Sequence, residues 1–442
     1  MWGHYVELAL RSSRRSKALT ALVVALLAFG VAACMVSYAV FRATTSDPLP
    51  GRSSQLFALQ VDNAGPAHAV DGQPPEMLSY IDAVALLQAR KARHQALVYA
   101  TKWGVESNDG AAPALAMGGD AVTADFFPMF DVPFQYGGGW SSDDDARHAS
   151  LVVISRALNQ TLFGGRNSVG KGIRLDGKAF QVAGVLDEWN PRPRFFDIAT
   201  MGSNSAFDDA GDVYVPFSRA TDMKKDIAYP DCRSDAGGTD PKDWDAYLHG
   251  ECDRVTAWVE LPTAADVTAY REYLGGYALD QQRLGRFSWP PNVALHDLMD
   301  WMDVLRISPP ASSLSMLVSA SFLLIVLVNV VGLMLARFLR RAPEIGIRRA
   351  LGASRGAIYR QFLIEGASIG LVGGLIGVTL TLLGLWGIGG LFEPAIARLV
   401  HVDASLIGMT VLLAIVATLV AALYPTWRAA QTEPAWQIKI NP

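Results

Sequence analysis

The sequence predicts a membrane protein: an α-helical four-span bundle carrying one large extracytoplasmic α+β domain. Three observations support this. Four windows, residues 18–41, 312–336, 366–392 and 404–427, lack any Asp, Glu, Lys or Arg, and each is long enough for a helix to cross a bilayer. The stretch between the first two, residues 43–310, is long enough to fold around its own core. Charge is also divided: residues 43–310 carry 23 basic and 36 acidic side chains, a net of −13, whereas the rest of the chain carries 15 and 6, a net of +9.

Residues 1–17 form an amphipathic segment with Trp2, Tyr5, Val6, Leu8 and Leu10, suited to the cytoplasmic membrane surface. Arg14, Arg15 and Lys17 precede the first span; Arg337, Arg340, Arg341, Arg348, Arg349, Arg355 and Arg360 lie between the second and third. The positive-inside rule places both groups and both termini in the cytoplasm, and residues 43–310 outside. A lipoprotein leader ending before Cys34 is the rival reading of the first span. The apolar run continues through Met35, Val36, Tyr38, Val40 and Phe41, which favours an uncleaved span. The acidic outer domain argues against nucleic acid, since phosphate backbones need basic patches; the cytoplasmic arginines suit anionic lipid.

Within the outer domain, Leu56–Val61 and Ala96–Thr101 read as strands flanking a helix over Met77–Ala92. Arg254–Leu261 followed by a helix from Pro262-Thr263 repeats that unit. The expectation is an α/β part, about residues 55–111 and 254–290, with a β-rich insertion over about 112–253. Short strands are expected at Ser150–Ile154, Gly172–Leu175, Phe180–Leu186 and Asp212–Val215. Leu295, Leu298, Met302 and Leu305 suggest a stalk helix over about 293–308, leading into the second span. Cys232 and Cys252 lie in one Gly/Asp-rich stretch outside the membrane, so a disulfide between them is expected.

Catalytic signatures are weak. Gly165, Gly170 and Lys171 fit a phosphate-binding loop, but Gly172 stands where a Ser or Thr must hold Mg²⁺, and a turn before a strand is the better reading. Asp143, Asp144 and Asp145 lack the glycine and distal glutamate of a calcium loop and read as a solvated turn. The seven histidines have no metal-type spacing. In the spans, Gly366, Gly370 and Gly374 form a small-residue strip for close helix packing, with Gly373 and Gly377 beside it. Asn329 is a polar residue inside the second span and is expected to hydrogen-bond to another helix.

The cytoplasmic segment 337–365 is the most specific feature. Pro343, Glu344, Ile345, Gly346, Ile347, Arg348, Arg349, Ala350, Leu351 and Gly352 suit a short basic helix, with Pro343 in its first turn and Gly352 at its end; Ser354 can cap the next helix. Ile345 and Leu351 are available for hydrophobic contact, Arg348 and Arg349 for acidic groups.

Residues Glu344 to Ala353 resemble the signature of the FtsX-like permeases of ABC systems. Val153 to Leu158, Leu162 to Gly165, Val169 to Lys171, Ile173 to Leu175 and Phe180 to Val185 are similar to the periplasmic core domain of MacB-type transporters. Tyr424 to Ala430, at the end of the last span, resembles the family's ending. The resemblance implies a non-catalytic inner-membrane subunit paired with a second permease, as homodimer or sibling heterodimer. A cytoplasmic ABC ATPase would dock on Glu344, Ile345, Gly346, Arg348, Arg349, Leu351 and Gly352. This chain would bind no cofactor; ATP and Mg²⁺ would belong to the ATPase, expected as a separate chain because only the short segment 1–17 precedes the first span. A periplasmic adaptor or outer-membrane channel is a further implied partner. The expected function is export by mechanotransmission, the alternatives being a regulatory transmitter or a lipoprotein-extracting permease.

Overall fold

The computed structural model describes residues 17–107, 114–202, 205–227, 232, 241–307, 310–341, 345–347, 350–388 and 403–431. The chain divides into a membrane unit, Met1–Thr45 with Pro309–Pro442, and an outer unit, Ser46–Ser308. Among the described residues, eight helices have seven or more residues: α1 (Lys17–Thr45), α2 (Tyr80–Ala89), α3 (Arg156–Phe163), α4 (Ala264–Arg283), α5 (Leu298–Val304), α6 (Pro310–Leu339), α7 (Arg355–Ile388) and α8 (Ala404–Gln431).

The outer unit is built on an eleven-stranded sheet: β1 (Leu56–Val61), β2 (Leu78–Ser79), β3 (Gln95–Ser107), β4 (Leu115–Val122), β5 (Phe134–Gly137), β6 (Leu151–Ile154), β7 (Gly172–Leu175), β8 (Lys178–Leu186), β9 (Val213–Pro216), β10 (Asp253–Glu260) and β11 (Val293–Asp297). Its main order is β11-β1-β10-β3-β4-β9-β6-β8-β5, with β2 beside β10 and β7 bridging β3 and β8. The pairs β4–β9 and β6–β8 are parallel, and the remaining pairs are antiparallel. The 13-residue β3 joins the two halves. Gln95–Val98 pairs with β10, and Val105–Ser107 pairs with β7. One apolar core, including Leu97, Tyr99, Trp103, Val105, Ile154, Val185 and Val259, runs beneath both halves.

Local chemistry sets the element ends. Ser79 caps α2 by accepting the Asp82 N–H at 3.2 Å. Thr263 and Asp266 form a reciprocal capping box at the start of α4. The expected stalk helix is corrected: Val293–Asp297 pairs with β1 as β11, and the helix begins only at Leu298. Asp297 accepts the Asp300 N–H at 2.9 Å, a cap that stops the strand and starts α5.

In the membrane unit, α1, α6, α7 and α8 are long and apolar enough to cross a bilayer. α1, α6 and α8 end three or four residues beyond their charge-free windows, and α7 begins eleven residues before its own. Small residues set their packing. A Cβ on Gly374 would sit 3.1 Å from Ala414 Cβ, and one on Gly366 would sit 3.3 Å from Ala422 Cβ, so this strip faces α8. Gly373 and Gly377 face Leu27 and Ala28 of α1. At one end of the bundle Arg42 of α1 meets Asp403, just before α8, at 2.9 Å. The Leu406 N–H and then Arg42 hold that carboxyl at about 2.

Candidate functional site: the α6–α7 hairpin

The end of α6 carries Arg337 and Arg341, four residues apart and therefore on one helix face. Glu365, immediately before the glycine strip of α7, lies between them. Arg337 Nη2 is 2.6 Å and Arg341 Nη1 3.2 Å from Glu365 Oε1. Arg341 Nη1 also donates to Oε2 at 3.3 Å. Arg337 and Glu365 are each only 3% exposed, Arg341 16%. Burying one carboxylate with two guanidiniums is tolerable because each charge meets its opposite at hydrogen-bond distance.

Beside this triad Phe338 and Phe362 pack edge to face with centroids 4.3 Å apart. Ile345 is buried in the same cluster, with Ile358 and Met334. Its N–H donates to the Arg341 carbonyl at 3.1 Å, so the connecting segment starts one turn beyond α6. Leu351 N–H donates to the Ile347 carbonyl at 3.0 Å. Both side chains point outward, Leu351 being 83% and Ile347 61% exposed. Gly352 follows at φ +96, a left-handed position that suits glycine. Ser354 Oγ accepts the Ala357 N–H at 3.2 Å and so caps α7.

Of the residues the sequence singled out here, Ile345 is used internally and is not available for an outside contact. Leu351 is available, and Gly352 is the helix end. Glu344, Arg348 and Arg349 lie outside the described residues. Gly346 is half-buried between them. Asn329 is exposed on α6, so its amide faces away from the other described helices of the chain. Sequence reasoning missed the triad. Its signal was present: two arginines four apart after one charge-free window, and a lone glutamate immediately before the next.

In the outer unit Cys232 and Cys252 are joined by a disulfide, Cα–Cα 4.0 Å, packed against Tyr247 and Leu248. Gly165 to Gly172 is a turn that leads into β7, with Lys171 N–H donating to the Ser168 carbonyl at 3.0 Å. No helix follows Lys171, so the backbone does not form a phosphate cradle. Asp143–Asp145 lies in a short capped helical turn with no buried residue. Ser141 and Asp144 form its capping box, and Asp145 accepts the Ala124 N–H at 2.9 Å. Burial pushes the Asp145 carboxyl up to about 6. Among the described residues no cluster of three or more His, Cys, Asp or Glu forms a metal site.

Four helices long and apolar enough to cross a bilayer, with one large α/β domain between the first two, define an integral membrane protein. Residues 20–276 match the MacB-like periplasmic core domain, and residues 316–434 match the FtsX-like permease C-terminal domain. The chain belongs to the family of proteins with a MacB-like periplasmic core domain. It is 27% identical over 312 residues to the pyoverdine export ATP-binding/permease protein PvdT of Pseudomonas aeruginosa, covering 70% of this chain and 40% of that one. It is 26% identical over 281 residues to the macrolide export ATP-binding/permease protein MacB of Pasteurella multocida, covering 62% and 36%. The chain therefore spans well under two thirds of the length of these relatives. The periplasmic region of MacB from Actinobacillus actinomycetemcomitans aligns with 59% of this chain and 97% of its own, at 12% identity and a TM-score of 0.36.

Proposed function

We propose that this chain is the membrane permease subunit of an ABC exporter, with ATP bound and hydrolysed by a separate cytoplasmic ATPase chain. The observation that carries this reading is the two-sided α6–α7 hairpin inside the FtsX-like region. Ile345 anchors the connecting segment inward, while Ile347 and Leu351 stand exposed beyond it. An apolar pair on a basic cytoplasmic turn suits a protein partner, and the ATPase is the partner that the FtsX-like match supports. The ATPase would move the hairpin, and α6 and α7 would carry the movement across the membrane to the outer domain. Substrate is handled outside the bilayer in this mechanism, because the four windows contain no charged side chain to line a hydrophilic path. The excess of arginine around the hairpin supports a cytoplasmic location for it and for both termini. The exposed amide of Asn329 supports a second permease subunit against α6, since an amide in hydrocarbon needs a hydrogen-bonding partner.

The test is Leu351→Asp in the chain co-expressed with its ATPase and reconstituted in liposomes. The expected result is loss of co-purifying ATPase and of substrate-stimulated hydrolysis, with the thermal midpoint of the permease unchanged because Leu351 supports no internal packing. Retention of the ATPase by the variant would refute the docking role. Stimulation of hydrolysis by a small amphiphile or peptide supports export, and stimulation by an extracytoplasmic protein alone refutes it.

A further inference from the structure

The outer unit holds an open cavity of about 770 Å³ between α2 and the short helical turn Ser142–Ala146. Every residue of its lining is among the described residues, and the volume is that of a small-molecule site. One wall is apolar. Tyr80, Val84 and Leu87 recur at helical spacing on one face of α2 and are only partly buried against the core beneath. Phe217, which follows β9, stacks on Tyr80 with ring centroids 6.0 Å apart.

The other wall carries the Asp145 carboxylate, held in place by two further residues of the lining. Its Oδ2 accepts the Ala124 N–H at 2.9 Å. Ser218 Oγ donates to the Asp145 carbonyl at 2.6 Å and lies 3.5 Å from Oδ1. Asp145, Ala124 and Ser218 all line the cavity, so the carboxylate sits at its wall. Asp145 makes no ion pair among the described residues, and burial lifts its carboxyl to about 6. A cation brought against it would offset that cost. Three basic side chains of the lining are engaged elsewhere: Arg93 with Glu260 at 3.5 Å, His148 with Asp222 at 2.6 Å, and His94 at 3.7 Å from both Asp125 and Glu260. Arg90 is exposed at the left-handed C-cap of α2. Ser142, one turn before Asp145, and Asp125, next to Ala124, also line the cavity. A primary ammonium carries three donors to match such a set of acceptors.

We propose that this cavity binds a small primary amine, its ammonium against Asp145 and its apolar body along Val84, Leu87 and Phe217. The proposal does not rest on the export reading.

The full-length chain in nanodiscs of zwitterionic lipid is titrated calorimetrically near neutral pH with 4-phenylbutylamine, the heats from empty nanodiscs being subtracted. The matched alcohol and acid, 4-phenylbutanol and 4-phenylbutyrate, are the controls. The amine binds and neither control does. Asp145→Asn, whose amide oxygen can still accept the Ala124 N–H, weakens binding roughly tenfold or more. Ala146→Phe, which fills the cavity from an exposed position and leaves every charge in place, weakens it as much with an unchanged thermal midpoint. Asp143→Asn removes the same charge from the same turn but outside the lining, and leaves binding unchanged. That variant separates the site from the general attraction of a domain of net charge −13 for cations. The proposal is overturned by absence of amine binding, by equal binding of the alcohol or the acid, by wild-type affinity in Asp145→Asn or Ala146→Phe, or by an equal loss in Asp143→Asn.

Discussion

Glu365→Gln tests whether the α6–α7 hairpin is a rigid unit. The substitution keeps the shape of the side chain and one acceptor oxygen but removes the charge that serves both Arg337, at 2.6 Å, and Arg341, at 3.2 Å. Arg337 is 3% exposed. Breaking a buried ion pair by removing one charge costs about 3 to 5 kcal/mol, and the amide's residual acceptor places Glu365→Gln near the lower figure. The assay is reversible unfolding in lipid–detergent micelles, followed by tryptophan fluorescence. The double variant Arg337→Met with Glu365→Leu should recover to within about 1 kcal/mol of wild type, because apolar replacement of a buried pair is commonly neutral. Arg341, already partly exposed, can then turn its head outward. A loss of under about 1 kcal/mol for Glu365→Gln, the range of an exposed pair, would refute the buried-triad argument. So would a double variant as unstable as the sum of its parts.

Gly370→Val should destabilise the membrane unit by about 1 to 3 kcal/mol in the same assay, since a Cβ there meets Ile415 Cα at 2.9 Å and the Ala414 carbonyl at 3.0 Å. Gly387→Val, where a Cβ meets nothing within 4 Å, is the control, and equal losses at both sites would defeat the close-packing account. Asp145→Asn should flatten the pH dependence of outer-unit stability. Its carboxyl titrates at about 6 when folded and at about 3.9 when unfolded. The folded state holds the proton more tightly, so this residue's contribution is full below about pH 4 and is lost as pH rises to about 6. That loss is on the order of 2 to 3 kcal/mol at most. Thermal midpoints at pH 4 and 7 read it, and an identical difference in wild type and variant would exclude Asp145 as the source.

The spans were legible because a bilayer imposes a length and a charge rule on the sequence itself. Strands with a dense apolar pattern, such as β1, were legible for a similar reason. The misses were set by distant contacts. Residues Leu115–Val122 form β4 although Gly118, Gly119 and Asp120 interrupt its pattern; Gly119 is demanded by the Val213 carbonyl, and Asp120 is buried beside Arg194. The spacing of Leu295, Leu298 and Met302 looked helical because it straddles a strand and a helix that both face the core. Asp297, able to cap, was the local sign of the boundary. The small-residue strip of α7 was visible, but its partner was not. Nothing in Gly366, Gly370 and Gly374 alone selects α8 over α1; the small and polar residues opposite, Ala414, Thr418 and Ala422, do so.

The hairpin shows why one side chain's direction matters more than the motif around it. If Ile345 and Leu351 both faced outward, as their apolar character suggests, the connecting segment would be a loose patch on a flexible tether. With Ile345 buried in a cluster with Phe338, Ile358 and Phe362, the segment is fixed at its base to both α6 and α7. A push on Leu351 is then passed to two helices instead of being absorbed by loop bending. The 30-residue α6 is about 45 Å long at 1.5 Å per residue, so even a small tilt at its arginine end becomes a displacement of ångströms at the other. Under the proposed mechanism, weakening the base without touching Leu351 should leave the ATPase bound while its hydrolysis no longer responds to substrate. Glu365→Gln and Leu351→Asp should therefore fail differently, the first in coupling and the second in association. A chain that merely rests on lipid through Leu351 would show neither effect.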